Sequence, residues 1–176
     1  MRFTPDVLTR AQQAWLIVLR TLIGWHFLYE GYYKLLTPAW NRAGAPIEPF
    51  SSAAYLSNIS GPFADLFHMA ARPTWIPWID AAVAGALVVA GLMLMLGLFT
   101  QVGCVLAGVL LIVFYASAIP LAGVPQPRAE GTYLLVNKNL IEAAAVAVLF
   151  SFRSGSIAGL DLLLRRRRDA VPAARA

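Results

Sequence analysis

Four ionisable side chains lie in one apolar segment near the N-terminus, between Trp15 and Leu36: Arg20, His26, Glu30 and Lys34. Charge is costly to bury in hydrocarbon, so such groups usually face a bundle interior, a wet cavity or a partner. On a helix, His26, Glu30 and Lys34 lie one turn apart on one face, and Glu30 before Lys34 is the favourable order for an ion pair. Arg20 shares this face but lies far deeper, and the sequence leaves its role open.

A second polar cluster opens the last apolar segment, where Lys138 and Glu142 are four residues apart and Asn139 lies beside Lys138. If the first and last segments run in opposite directions, both clusters lie about one to two turns below the same rim. Their charges are complementary. The sequence therefore predicts that the clusters meet, with Glu30 pairing with Lys138 and Glu142 with Lys34.

Two interpretations of this polar set stay open. In the first, it is a buried ion-pair network that fixes helix register. In the second, it lines an outward-facing pocket that binds a small ligand or a quinone head group, or relays protons. His26 and Tyr33, at the edge of the polar sector, favour the pocket because a simple salt bridge needs neither. The candidate residues are His26, Glu30, Tyr33, Lys34, Lys138, Asn139 and Glu142.

The composition places these residues in a membrane protein. Hydrophobic residues make up 59% of the 176 positions and charged residues only 13%, against about 25% charged in soluble domains. The mean hydropathy is +0.66. The basic run Arg165–Arg168 follows an apolar segment, so it indicates an anchor for anionic lipid rather than a nucleic-acid site.

Metal, haem and disulfide chemistry have no support in the sequence. Cys104 is the single cysteine, which excludes the paired thiols of membrane thiol-disulfide enzymes, and no metal-ligand spacing occurs. The only histidine besides His26 is His68, in a predicted loop, so two axial imidazoles from facing helices are not available. No cleavable signal peptide is evident, and the first segment is expected to be retained.

Segment lengths predict an all-α membrane protein, a four-transmembrane-helix bundle with a structured outer loop between helices 1 and 2. A run of about 20 apolar residues spans a bilayer, and Thr100-Gln101 is expected to be only a turn. Arg and Lys near the helix ends predict that both termini are cytoplasmic. The predicted single domain, 1–176, has spans at about 13–36, 79–99, 102–121 and 133–152, an outer loop at 37–78 and a basic tail at 153–176.

The outer loop must have its own organisation because it is too long for a simple connection. Tyr55-Leu56 and Phe63–Met69 are expected to form short helices at the membrane interface, where aromatic rings settle. Gly61-Pro62 separates them. The loop is therefore predicted to be a lid resting on the membrane surface.

Several stretches together resemble the DoxX/DoxD family of small bacterial membrane proteins. They are GWHFLYEGYYKLLTPAW (Gly24–Trp40), GTYLLVNKNLIEAAAV (Gly131–Val146), YLSNISGPF in the loop, LGLFTQ closing the second segment, and GLD (Gly159–Asp161). The resemblance implies a four-helix membrane bundle. DoxD-like members form the membrane subunit of thiosulfate:quinone oxidoreductase, and other members associate with membrane oxidoreductase or detoxification complexes. The family pattern maps onto Glu30, Lys34, Lys138, Asn139 and Glu142.

The expectation is a DoxX-like subunit of an oxidoreductase or electron-transfer assembly in the bacterial inner membrane, with its polar pocket near the outer leaflet. No catalytic residue is assigned and no covalent cofactor is expected, so electron transfer would need a quinone or a partner subunit. The expected partners are the lipid bilayer and either subunits of a larger complex or further copies of the chain, without nucleic acid. The alternative is a non-enzymatic accessory subunit. A small transporter is disfavoured because no internal repeat or broken helix occurs.

Overall fold

The computed structural model describes residues 8–36, 50–119, 132–133 and 135–164. Within these ranges, six α-helices follow one another up to Ser151, and two short strands precede the sixth. They are α1 (Arg10–Leu36), α2 (Ala53–Ser57), α3 (Ala64–Ala70), α4 (Ile76–Leu96), α5 (Thr100–Ser117), β1 (Thr132–Tyr133), β2 (Val136–Asn137) and α6 (Lys138–Ser151). Predicted features at 37–49 and 120–131, and from 165 onwards, lie outside the described residues.

Helices α1 and α4 pack with their backbones almost in contact. A Cβ added to Gly91 would lie 2.5 Å from the backbone nitrogen of Leu28, and one added to Gly24 would lie 2.8 Å from that of Met95. Small residues at a helix interface allow this approach, and dispersion then holds the helices together. The α1–α4 pair is the most extensive contact between helices in the described part of the chain.

The remaining long helices complete one core. Helix α4 packs on α5, α5 on α6, and α6 on α1. The side chains buried between them are apolar and come from all four helices, including Phe27, Leu94, Leu111 and Leu149. Helices α4 and α5 are each long and apolar enough to cross a membrane; in the described residues no other helix meets both conditions.

The turn between α4 and α5 lies earlier than predicted. Helix α4 ends at Leu96 because Gly97 takes the left-handed conformation, with φ of 62°, and the amide of Leu98 bonds back to the carbonyl of Met93 at 3.0 Å. This is the pattern of a Schellman helix end. Thr100 and Gln101, predicted to form the turn, are instead the first residues of α5.

Helix α6 begins five residues later than the predicted start at 133. Thr132–Tyr133 pairs antiparallel with Val136–Asn137, and Asn137 then caps α6 by accepting a hydrogen bond from the amide of Leu140 at 3.1 Å. Asn is among the best residues at this position. Lys138 and Asn139 are therefore at the start of α6.

The predicted short helices of the outer loop are present as α2 and α3, separated at Gly61, which has φ of 121°. The loop has a small core of its own, formed by Leu56, Ile59, Phe67 and Ile76. Two polar contacts fix it to the long helices: the amide of Ser52 donates to Asp80 at 3.0 Å, and the hydroxyls of Tyr55 and Ser117 lie 2.8 Å apart.

Candidate functional site

The two polar clusters meet between α1 and α6. Nδ1 of His26 lies 2.7 Å from Oε1 of Glu142. An ionised carboxylate only accepts hydrogen bonds, so Nδ1 is the donor. The Glu142 side chain is 14% exposed, whereas His26 is 42% exposed, so the histidine ring reaches from the surface of the bundle to a mostly covered carboxylate.

Glu30 and Lys34 form the second ion pair, within α1. Nζ of Lys34 lies 2.7 Å from Oε2 of Glu30, as their spacing predicts. The cross-helix pairs predicted from the sequence, Glu30 with Lys138 and Glu142 with Lys34, are not those formed. Glu142 lies opposite His26, two turns of α1 below Lys34, about 12 Å along the helix axis.

These side chains border a pocket of about 100 Å³ between the helices. We call it the polar pocket. Its polar lining comes from α1 and the start of α6, and its floor is apolar. The residues are His26, Glu30, Lys34, Lys138 and Asn139, with Phe27, Leu87, Leu111 and Phe114 below them.

One of the two lysines that line the polar pocket forms no ion pair with a residue that the structure describes. Glu30 is paired with Lys34, and Glu142 with His26. Lys138 has no ion pair among the residues that the structure describes, and it lines the pocket. Lys138 is exposed and interacts electrostatically with Glu30, and its ammonium is free to donate to an electron-rich atom of a ligand.

The outer loop reaches the rim of the polar pocket at Phe50. Nζ of Lys34 lies 5.1 Å from the centroid of the Phe50 ring, within the range of a cation–π interaction. Tyr33, predicted to belong to the site, lies elsewhere. It is 50% exposed, and its ring stacks on Tyr29 at 6.4 Å between centroids on the outer face of α1.

Arg20 belongs to a different polar site, in the N-terminal half of α1 beside the turn between α4 and α5. It is only 3% exposed. Its Nη1 donates to the carbonyl of Ser154 at 3.0 Å and to that of Ala158 at 2.7 Å. The arginine thus binds the chain after α6 to α1, which gives a structural role to the one ionisable residue whose purpose the sequence left open.

Asp161 completes this second site. Its carboxylate accepts hydrogen bonds from the amides of Phe99 at 2.7 Å and Thr100 at 2.9 Å. These are free donors at the start of α5, where negative charge is also favoured by the helix dipole. The carboxylate also interacts electrostatically with the guanidinium of Arg20.

Two glycines bring the segments of this site together. A Cβ on Gly97 would lie 2.8 Å from the Cα of Gly159, and Gly159 has φ of 138°. We call the whole site the Arg20 clasp, comprising Arg20, Gly97, Phe99, Thr100, Ser154, Ala158, Gly159 and Asp161. The LGLFTQ and GLD stretches were visible in the sequence, but nothing local to either one shows that they touch.

Comparison with known proteins gives one match. The model of the DoxX family matches residues 15–122, which is more than half of the chain. The chain belongs to the DoxX family. No curated protein and no solved structure matches it.

DoxX is a family of membrane proteins, and the apolar helices α4 and α5 agree with that membership. The matched DoxX region includes His26, Glu30 and Lys34 of the polar pocket. Lys138, Asn139 and Glu142 lie beyond it, as does Asp161 of the Arg20 clasp. In both sites, residues inside the matched region therefore contact residues that follow it in the sequence.

The chemistry open to the polar pocket is hydrogen bonding and charge stabilisation. Its lining has amine, amide and imidazole donors and the Glu30 carboxylate, the Glu142 carboxylate is bonded to His26, and no hydroxyl or thiol side chain lines it. Within residues 8–36, 50–119, 132–133 and 135–164, no group of three His, Cys, Asp or Glu side chains could hold a metal ion. Any redox step at this site would need a ligand or partner that carries the electrons.

Proposed function

We propose that this DoxX protein is an integral membrane subunit of an oxidoreductase or electron-transfer assembly, and that the polar pocket holds a quinone head group or similar small ligand near the outer leaflet. In this proposal α1, α4, α5 and α6 all cross the bacterial inner membrane, with both termini cytoplasmic. Membership of a family of membrane proteins supports the setting.

The observation that carries the proposal is the position of Lys138, an exposed cation that lines the polar pocket and forms no salt bridge with a described residue, beside the His26–Glu142 and Lys34–Glu30 contacts. The His26–Glu142 contact alone joins α1 to α6, so a network that served only to fix helix register would not need Lys138 at the pocket. A quinone carbonyl oxygen is an acceptor that suits the Lys138 ammonium. The Asn139 amide lies beside it as a second donor.

The size of the polar pocket limits how a quinone would bind. At about 100 Å³ it is smaller than the roughly 300–1,000 Å³ of typical ligand sites. It suits part of a head group, with the apolar tail remaining among the lipids. His26, being half-exposed at the pocket and bonded to Glu142, is placed to exchange a proton with a bound carbonyl.

The test uses purified membranes that contain the assembly. We expect Lys138→Met to lower binding of a photoreactive quinone analogue about tenfold, the effect of losing one charge-assisted hydrogen bond. Lys138→Arg should retain part of the binding. Arg72→Met, which removes an exposed cation from the outer loop, is the matched control.

A negative result would be clear. If Glu30→Gln and Lys138→Met leave both assembly and quinone-linked activity at wild-type levels, the polar pocket is not a ligand site. The charged residues would then serve only to hold α1 and α6 in register.

The second candidate is a non-enzymatic accessory subunit of a larger membrane complex. The outer face of α1 favours it, because its exposed aromatic side chains include Trp15 at 72%, Trp25 at 56% and Tyr29 at 53%. Native mass spectrometry of gently solubilised membranes distinguishes the two. A stable complex whose turnover does not change when this subunit is deleted supports the accessory role.

A further inference from the structure

Three polar side-chain atoms of the Arg20 clasp are buried without a hydrogen-bond partner among the residues that the structure describes. They are Nε of Arg20, Oγ1 of Thr100 and Oγ of Ser154. The exposed fractions of these three residues are 3%, 1% and 0%. Buried polar atoms in native proteins are almost always paired, either with protein or with ordered water. Three such atoms in one site therefore indicate a bound ligand that contacts them.

Two oxygen atoms of the clasp lie close together beside Gly155 without a direct hydrogen bond. A Cβ on Gly155 would collide with Oγ1 of Thr100 and would lie 2.5 Å from Oδ2 of Asp161. Both atoms are thus near one point, and they are at most about 5 Å apart, a distance that one water molecule with two hydrogen bonds can span. Oδ2 already accepts from the amide of Thr100 at 2.9 Å, and a carboxylate oxygen has a further lone pair.

The charges of the clasp select a neutral ligand. An anion would face the carboxylate of Asp161, and a cation would face the guanidinium of Arg20, which interacts with that carboxylate. Nε of Arg20 can only donate a hydrogen bond, whereas the two hydroxyls can donate or accept. The ligand must therefore be small and able both to donate and to accept. Water meets these conditions, since a buried water makes about 2–4 hydrogen bonds to polar groups that lack other partners.

We propose that the Arg20 clasp contains bound water. One molecule donates to Oδ2 of Asp161 and bonds Oγ1 of Thr100, and water in the same site accepts from Nε of Arg20 and bonds Oγ of Ser154. The water completes the hydrogen bonding of a charged side chain within an apolar helix. It also joins α1 to the start of α5 and to the segment after α6. This inference goes beyond the proposed function and is independent of the polar pocket.

The sign of a stability change tests the proposal. Thr100→Val and Ser154→Ala each remove a buried hydroxyl and leave the shape of the side chain almost unchanged. If the hydroxyls bind water, each substitution should lower the Tm of the full chain in detergent by about 2–4 °C, as expected for the loss of one net hydrogen bond. If they are unpaired, their removal relieves a desolvation penalty. An unchanged or higher Tm in either variant would therefore overturn the proposal.

Each substitution has a matched control whose hydroxyl bonds a nearby backbone carbonyl. Thr21→Val removes an exposed hydroxyl that donates to Ile17 in its own helix at 2.9 Å. Ser156→Ala removes one that donates to Arg153 at 2.8 Å, in the same turn as Ser154. Both controls should change Tm less than the variants of the clasp. Equal losses of Tm in variant and control would show a general effect of removing a hydroxyl and would count against bound water.

Diffraction identifies the ligand directly. A high-resolution crystal structure of the full chain should show a density peak within hydrogen-bond distance of Oγ1 of Thr100 and Oδ2 of Asp161. Crystals of Thr100→Val should lose this peak. A wild-type site without density overturns the proposal. An anomalous peak at the same position in crystals soaked with thallium would identify a monovalent cation instead of water, and it would also overturn the proposal.

Discussion

A single substitution of Asp161 tests the Arg20 clasp, because its carboxylate makes several of the contacts of the site. Asp161→Ala removes two hydrogen bonds, of 2.7 and 2.9 Å, to the amides at the start of α5. It also removes the negative charge that faces the positive end of α5 and the guanidinium of Arg20. The affected amides lie at a helix terminus, where no backbone acceptor replaces the lost oxygen atoms.

The magnitude follows from these contacts. Loss of a helix cap costs about 0.5–2 kcal/mol, and loss of a favourable charge at a helix terminus about 0.3–1 kcal/mol. A second charge-assisted bond adds about 1.5 kcal/mol. We therefore expect the free energy of unfolding to fall by about 2–4 kcal/mol. For a chain of this size that corresponds to a Tm lower by about 4–15 °C.

Thermal unfolding in detergent, followed by the fluorescence of the five tryptophans, measures this change. Asp161→Asn should fall between wild type and Asp161→Ala because its amide keeps one acceptor oxygen. Asp65→Ala, at an exposed position in the first turn of α3, is the control: it removes only a charge at a helix terminus, worth about 0.3–1 kcal/mol, so its Tm should fall by much less. A Tm for Asp161→Ala equal to that of the control would refute the clasp as a stabilising element.

Two further predictions concern the packing and pairing of α1. Gly91→Ala should destabilise the protein by about 1–3 kcal/mol through overpacking, because the new Cβ would lie 2.5 Å from the backbone nitrogen of Leu28. The control is Gly85→Ala, whose new Cβ would have no heavy atom of a neighbour within 4 Å and which should be neutral or stabilising. Equal Tm values for the two variants would contradict the close approach of α1 and α4. In a double-mutant cycle, His26→Ala and Glu142→Ala should show a coupling energy of about 0.5–3 kcal/mol, as expected for residues in direct contact. Additive effects of the two substitutions on Tm would contradict the 2.7 Å contact between the side chains.

The sequence determined those features that depend on local pattern. Its low charge and apolar runs indicated a membrane protein, and the family match agrees. The Gly61-Pro62 break placed the two short helices of the outer loop correctly, because glycine and proline interrupt helices wherever they occur. The Glu30–Lys34 pair followed from helical spacing alone, since residues four apart meet on any helix.

Helix ends were less predictable because distant residues supply their caps. The sequence placed Thr100 in a turn. The structure starts α5 there because the Asp161 carboxylate bonds its first amides from 61 positions further along the chain. Likewise, the short β1–β2 pairing delays α6 until Lys138. No window of neighbouring residues contains this information.

Partners across helices were decided by the tertiary structure. The sequence pattern identified the polar face of α1, but not the position of α6 along the axis of α1. A difference of about two turns in that position moves a contact by about 12 Å. That offset brings Glu142 to His26 instead of Lys34. The rotation of α1 about its axis leaves the face that carries Tyr29 and Tyr33 exposed, so Tyr33 is not among the residues that line the polar pocket. Apolar side chains can pack at many positions of one helix along another. The observed position is therefore set by the packing of the whole core, including glycines such as Gly91, where α1 and α4 approach most closely.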